Sequence, residues 1–207
     1  MLTLHQYNIT LKRIEESDIE EVRKWRNQEF ISRNMLFQEQ ITKEQQQKWF
    51  KSINEKHNYY YVIITSQNKR IGLVNSKDID LEKGVGEGGI FIWDKESWNT
   101  LLPGIASLVL LNFSFLTLKN FNTSIIKVLK DNSSAVLYNK RLGYEIDEEL
   151  SDGKDYYWMS LNKEDYKNKT AGIQQTLKKL YPKNSEMEVS GSISEKNIDE
   201  INALLVK

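Results

Sequence analysis

Cysteine is absent from the 207 residues, which excludes disulfides, thiolate metal sites and a cysteine nucleophile. Histidine is scarce: the chain has two, His5 and His57, too few for a multi-histidine metal site and a poor basis for a histidine-centred triad. Neither sign of charge is in excess, because Lys+Arg and Asp+Glu both number 29. No global field therefore draws the chain to nucleic acid or to a membrane surface. The most apolar stretch, 101–118, is interrupted by Pro103, Gly104, Ser107, Asn112 and Ser114 and falls short of the ~20 apolar residues of a spanning helix. The start, MLTLHQYNITLKR, lacks the basic, apolar and small-residue regions of a secretion signal. These absences lead to the expectation of a cytoplasmic protein that binds no metal.

What is present reads as alternating strands and helices. Residues 9–14 alternate like a first strand. Ser17 with Glu20 and Thr42 with Gln45 are spaced as capping boxes, opening one helix to about Asn27 and a second carrying Gln46, Trp49, Phe50 and Ile53 at i, i+3, i+4 and i+7. Residues 59–65 and 70–75 form a hairpin around SQNK. Glycines at 84, 86, 88 and 89 lead into the strand GIFIWD, where either a close backbone approach or a bulge is expected. Pro103 suits the first turn of an apolar helix reaching Lys119. Strands at 123–130, 144–149 and 155–161 follow, the last two joined by an SDGK turn. A polar helix, 163–180, ends before Pro182, and Ile198, Ile201, Leu204 and Leu205 give a short apolar stripe near the end of the chain. The order β α α β β β α β α β β implies a mixed α/β sheet.

The stretch 131–144, DNSSAVLYNKRLGY, organises the rest. Asn132 can cap a helix that Gly143 closes in a left-handed conformation. Ala135, Tyr138 and Leu142 share one face, so the phenol lies among apolar neighbours and needs a polar partner. This run resembles motif B of the GCN5-related N-acetyltransferases (GNAT), in which an Asn ends a strand, a Tyr follows six residues later, and Lys/Arg, Leu, Gly and an aromatic close the helix. Asn132, Tyr138, Lys140, Leu142, Gly143 and Tyr144 fit. The resemblance implies an α/β fold with a mixed, mostly antiparallel seven-stranded sheet flanked by helices over residues 1–165, followed by a helical extension at 166–207.

The same resemblance implies acetyl-CoA as co-substrate, lying where two central strands part, with its pyrophosphate on amides of a loop reading Gln/Arg, x, x, Gly, x, Gly/Ala. LLPGIA occupies that place. Gly104 and Ala106 match, Leu101 departs from the Gln/Arg position, and the expected cofactor contacts are Leu102, Gly104, Ile105, Ala106, Ser107, Asn132 and Tyr138. Tyr138 is expected to protonate the departing thiolate. Glu87 is expected to take the amine's proton, directly or through water.

Residues 22–37, VRKWRNQEFISRNMLF, resemble the acceptor side of the subgroup that acetylates a UDP-linked amino sugar, with Trp25, Arg26, Asn27 and Met35 matching. The implied acceptor is the amino group of a nucleotide-linked amino sugar. The alternatives are a protein N-terminal or ribosomal-protein amine, or a non-catalytic CoA-binding module. A homodimer is compatible with this reading.

Overall fold

The computed structural model describes residues 3–53, 59–80, 82–118 and 120–190. In chain order its elements are β1 (Thr3–Gln6), β2 (Ile9–Arg13), α1 (Ile19–Arg26), α2 (Glu29–Ser32), α3 (Lys43–Ile53), β3 (Tyr59–Thr65), β4 (Arg70–Asp80) and β5 (Val85–Ile92). Then come α4 (Leu102–Asn112), β6 (Thr123–Leu129), α5 (Ser133–Leu142), β7 (Glu145–Asp147), α6 (Glu148–Ser151), β8 (Tyr156–Asn162), α7 (Lys163–Leu180) and β9 (Glu188–Ser190). The strands make one sheet in the order β7-β8-β6-β5-β4-β3-β2-β1-β9. Every adjacent pair is antiparallel except β5 with β6, which is parallel.

The mixed, mostly antiparallel sheet is as expected, with nine strands among the described residues in place of seven. The two additional strands are β1 and β9, paired with each other at one end. Neither is long enough for alternation to be legible in sequence. Helices cover both faces. On one, α4, α5 and α7 bury Leu108, Phe113, Leu142, Tyr166 and Leu177 with Ile126 and Met159 of the sheet. On the other, α1 and α3 pack Val22, Ile53, Trp25 and Trp49 on Val62, Leu73 and Trp93.

Local differences have local causes. Glu15 and Asp18, not Ser17 and Glu20, make the first reciprocal cap, closing a 3-10 turn before α1. Glu20 instead holds Arg23 at 2.8 Å, and Asp18 is also fixed by Arg70 at 2.9 Å. The Thr42–Gln45 box forms as read, at 2.7 and 3.1 Å. The apolar helix stops at Asn112 and widens into a π-helical turn, Phe113–Thr117. There the Asn112 side chain donates to Gln6 at 2.9 Å and accepts from the Tyr166 hydroxyl at 2.6 Å. The strand expected over 144–149 ends at Asp147, whose carboxylate caps α6 through the Leu150 amide at 2.9 Å.

Helix α7, Lys163–Leu180, packs on the main core. Tyr166 and Leu177 are fully buried in the main core, and β9 extends the sheet, so a boundary at 165 falls inside α7. The apolar stripe at 198–205 lies outside the described residues.

Candidate active site

Strands β5 and β6 pair over three positions, Val85 with Thr123, Gly86 with Ser124 and Glu87 with Ile125. Beyond Glu87 they part, β5 continuing along β4 to Ile92 and β6 along β8 to Leu129. The glycines make this geometry possible. A Cβ at Gly86 would lie 2.8 Å from the Phe121 ring, so the ring packs directly on the backbone, and the ladder with β4 bulges between Lys77 and Asp80. The close approach is thus present in the glycine run, whereas the extra residue of the bulge lies on β4. The gap opens into a cleft of about 890 Å³ lined by residues from α1 to α5, within the range of small-molecule sites.

Because opposed residues share a face, the cleft has two halves. Gly88 and Ile90 of β5 and Ser124 and Ile126 of β6 face α4 and α5. On this side Asn132 caps α5 through the Ala135 amide at 3.1 Å, and Gly143 closes the helix at φ 104. The cap fixes α5 so that Tyr138, two turns in, points at α4. The Tyr138 hydroxyl lies 2.7 Å from Ser107 Oγ and donates to the Pro103 carbonyl at 3.0 Å. With its one proton on Pro103, the phenol accepts from Ser107. Burial pushes the phenol well above its ordinary pKa, and the Ser107 hydrogen bond opposes the shift only in part. A second pair, Tyr144 and Ser124 at 2.7 Å, stands beside it, with the Tyr144 phenol pushed up to about 12 by burial.

At the start of α4, Pro103 has no amide, the Leu102 amide meets the Thr100 hydroxyl at 3.2 Å and the Ile105 amide meets the Leu101 carbonyl at 2.9 Å. Gly104 is left as the open first-turn donor, and a Cβ there would meet nothing within 4 Å. Ile105 and Ala106 point their side chains into the core, at 2% and 0% exposure. Of the expected cofactor residues, then, Ser107, Asn132 and Tyr138 line the cleft, and Leu102, Gly104, Ile105 and Ala106, in the first turns of α4, are not among its lining residues. The residues fit an anionic, extended ligand entering over Gly104, with fewer free amides than the motif suggests. Leu101, at the helix cap, is 62% exposed. Leu101→Arg is expected to tighten acetyl-CoA by about two- to fivefold, the scale of one exposed ion pair. An unchanged dissociation constant by calorimetry would remove this loop from the phosphate site.

On the other face Glu87 lies opposite Lys77 of β4 and near Lys127 of β6. Its carboxylate is bridged by both ammonium groups, at 3.0 Å and 2.7 Å, and is 13% exposed. Burial raises its pKa, but the hydrogen bonds and charges of the two lysines outweigh burial and hold it below the ordinary carboxylate range. Arg26 and Met35 line this half with Phe30, Phe37, Trp49 and Phe91. Trp25 and Asn27 do not line it. Trp25 stacks on Trp93, with centroids 6.0 Å apart, and Asn27 ties the 27–41 loop shut through the Ile41 amide and carbonyl, at 2.8 and 2.9 Å.

Lys77, Lys127, Ser124, Gln46 and the Tyr144 hydroxyl are additions to the site. The lysines could be found only once β4, β5 and β6 were in register. Gln46 carried a signal, as the one polar residue on the inward stripe of α3.

Solved structures share this fold. The nucleotide-linked sugar GNAT FdhC, in its apo form, is 20% identical, covers 84% of this chain and 98% of its own, and has a TM-score of 0.68. Spermidine N-acetyltransferase from Vibrio cholerae, solved with CoA and spermine, is 20% identical over 77% of this chain and 98% of its own, with a TM-score of 0.67. A domain from Methanocaldococcus jannaschii DSM 2661 is 19% identical over 74% and 97%, with a TM-score of 0.63. A search of curated protein sequences returned no match. The family described as acetyltransferase (GNAT) domain matches residues 8–145. With the parted strands, the Asn132-capped helix and the Tyr138 phenol in place, the chain belongs to the GNAT acetyltransferase family and is an N-acetyltransferase.

Proposed function

We propose that this enzyme acetylates the primary amine of a nucleotide-linked amino sugar. The observation that carries the reading is the charge of the cleft. Arg26, Arg33, Lys77 and Lys127 line it, and Glu87, already bridged by both lysines, is the one carboxylate lining it among the described residues. A polyamine, the substrate of the Vibrio cholerae neighbour, is a polycation and would be repelled. A nucleoside diphosphate is attracted, and Phe30, Met35, Phe37 and Trp49 offer flat apolar surface to a base or sugar. The FdhC neighbour is a nucleotide-linked sugar GNAT, which supports the same class.

Acetyl-CoA supplies the thioester, bound in the half of the cleft lined by Ser107, Asn132 and Tyr138. Tyr138 gives its proton to the departing sulfur as the carbon–sulfur bond breaks, Ser107, donating to the phenol oxygen, stabilises the charge left there, and the proton that the acceptor nitrogen sheds as the amide forms restores the phenol. Glu87 presents an ionised carboxylate to the attacking amine. It orients the N–H bonds and stabilises the positive charge that builds on nitrogen, a role a permanently ionised group can fill. The test is thiol release from acetyl-CoA with a UDP-linked 4-amino-dideoxy sugar, spermidine and free N-terminal peptides in parallel. Release with the nucleotide sugar alone is expected. Release with peptide alone would move the assignment to a protein N-terminal acetyltransferase, and release with spermidine alone would overturn the charge argument.

A further inference from the structure

Two buried donors in the acceptor half of the cleft have no hydrogen-bond partner among the described residues. Arg26 Nη1 and Gln46 Nε2 are both inaccessible and unpaired. Gln46 is 4% exposed, and an amide that deep is normally satisfied. Their placement follows from helical spacing. Val22 and Arg26 stand one turn apart on α1, Gln46 and Trp49 one turn apart on α3, and all four line the cleft. The Arg26 guanidinium lies 5.8 Å from the Phe91 ring centroid, a contact that holds its plane while leaving Nη1 free. A guanidinium N–H and a carboxamide N–H, both desolvated and unmatched, are the donor set for an oxyanion.

We infer that Arg26 and Gln46 together bind an oxyanion of the acceptor and that Gln46 is a specificity-determining residue of this enzyme. The inference rests on assigning this half of the cleft to the acceptor. It adds a residue that the acceptor-side resemblance does not contain. The oxyanion is a phosphate if the acceptor is a nucleotide sugar and a carboxylate if it is a peptide. A ligand that brings neither leaves both donors unmatched, and a site built this way rejects it.

The experiment uses the full chain saturated with CoA, so that the cofactor's own phosphates are already placed. UDP, uridine and the dipeptide Ala-Ala are titrated by calorimetry into the wild type, Gln46→Leu and Gln46→Glu. UDP is expected to bind the wild type at least tenfold more tightly than uridine does. Gln46→Leu should weaken UDP about tenfold and Gln46→Glu more, through repulsion. Dependence of Ala-Ala binding, rather than UDP binding, on Gln46 would support the site with a carboxylate as its ligand. Equal affinities across the three proteins, or no binding by either anion, would overturn it.

Thermal unfolding supplies a second readout. Removing an orphaned buried donor should raise the melting temperature of ligand-free Gln46→Leu by about 2–4 °C. A fall would mean that the amide is satisfied in the free enzyme and would sink the inference. If UDP binding depends on Gln46 but the UDP amino sugar is not acetylated, the proposed acceptor fails while this site stands.

Discussion

Tyr138→Phe is expected to lower kcat by about 10²–10⁴-fold, the usual contribution of a positioned general acid, while leaving the KM for acetyl-CoA within about twofold. The Tyr138 ring packs against the main core, so the ring of the variant keeps its place, while the hydroxyl is lost together with its proton and its hydrogen bonds to Ser107 at 2.7 Å and Pro103 at 3.0 Å. A thiol of pKa ~8.5 and a phenol of ~10 already make the transfer uphill by about 2 kcal/mol. Burial raises the phenol further. Free proton release by Tyr138 is therefore unfavourable. The proton must move as the carbon–sulfur bond breaks, with Ser107 donating to the oxygen it leaves. Ser107→Ala should accordingly lower kcat by about tenfold. The raised pKa also fixes the sign of the pH effect. Tyr138 stays protonated through neutral and mildly alkaline pH, and kcat should show no fall below pH ~10. Unchanged turnover in Tyr138→Phe, measured as thiol release, would remove the phenol from the chemistry.

The second large effect is expected at Glu87. Glu87→Gln should reduce kcat/KM for the amine by about 10–10²-fold, because Lys77 and Lys127 then face the incoming amine without the carboxylate between them. Its lowered pKa makes Glu87 an ionised group at every working pH rather than one that titrates. The ascending limb of kcat/KM against pH therefore reports the acceptor's own ammonium, and Glu87→Gln should scale the profile down without moving that limb. A limb that vanished in the variant would identify Glu87 as the titrating base. Stability follows the same sign. With its folded pKa below the ordinary 4.5, Glu87 contributes stability above that value, and the contribution is lost as pH falls through the folded value. Acid unfolding followed by circular dichroism should show a shallower dependence below pH ~4.5 in Glu87→Gln.

The parts of this molecule legible in sequence were those set by local rules. Asn132 and Gly143 announce a helix start and stop through the backbone conformations they favour, and α5 runs between them. Thr42 and Gln45 cap α3, and α7 spans the residues its polarity indicated. The parts that were not legible depend on what lies opposite. Whether Glu87 is a base or an ionised anchor turns on Lys77 and Lys127, 10 and 40 positions away in sequence, brought beside it by strand register. Trp25 and Asn27 match an acceptor pattern, yet one packs in a core and the other closes a loop, because a residue type at a given spacing does not reveal which face it shares. Gln46 was visible as an inward polar residue. That its Nε2 lacks a partner among the described residues could be seen only with α1 and the sheet around it.

The ends of the sheet bear on how copies of this protein meet. Among the described residues β7 and β9 are the outermost strands, and each spans three residues. β7 carries Glu145 and Asp147, and β9 carries Glu188. A neighbouring chain that tried to continue the sheet at either end would gain very few backbone hydrogen bonds. It would also bring acidic side chains against its own copies of them, a common guard against edge-to-edge aggregation. Among the described residues, both ends of the sheet are thereby poor templates for strand addition.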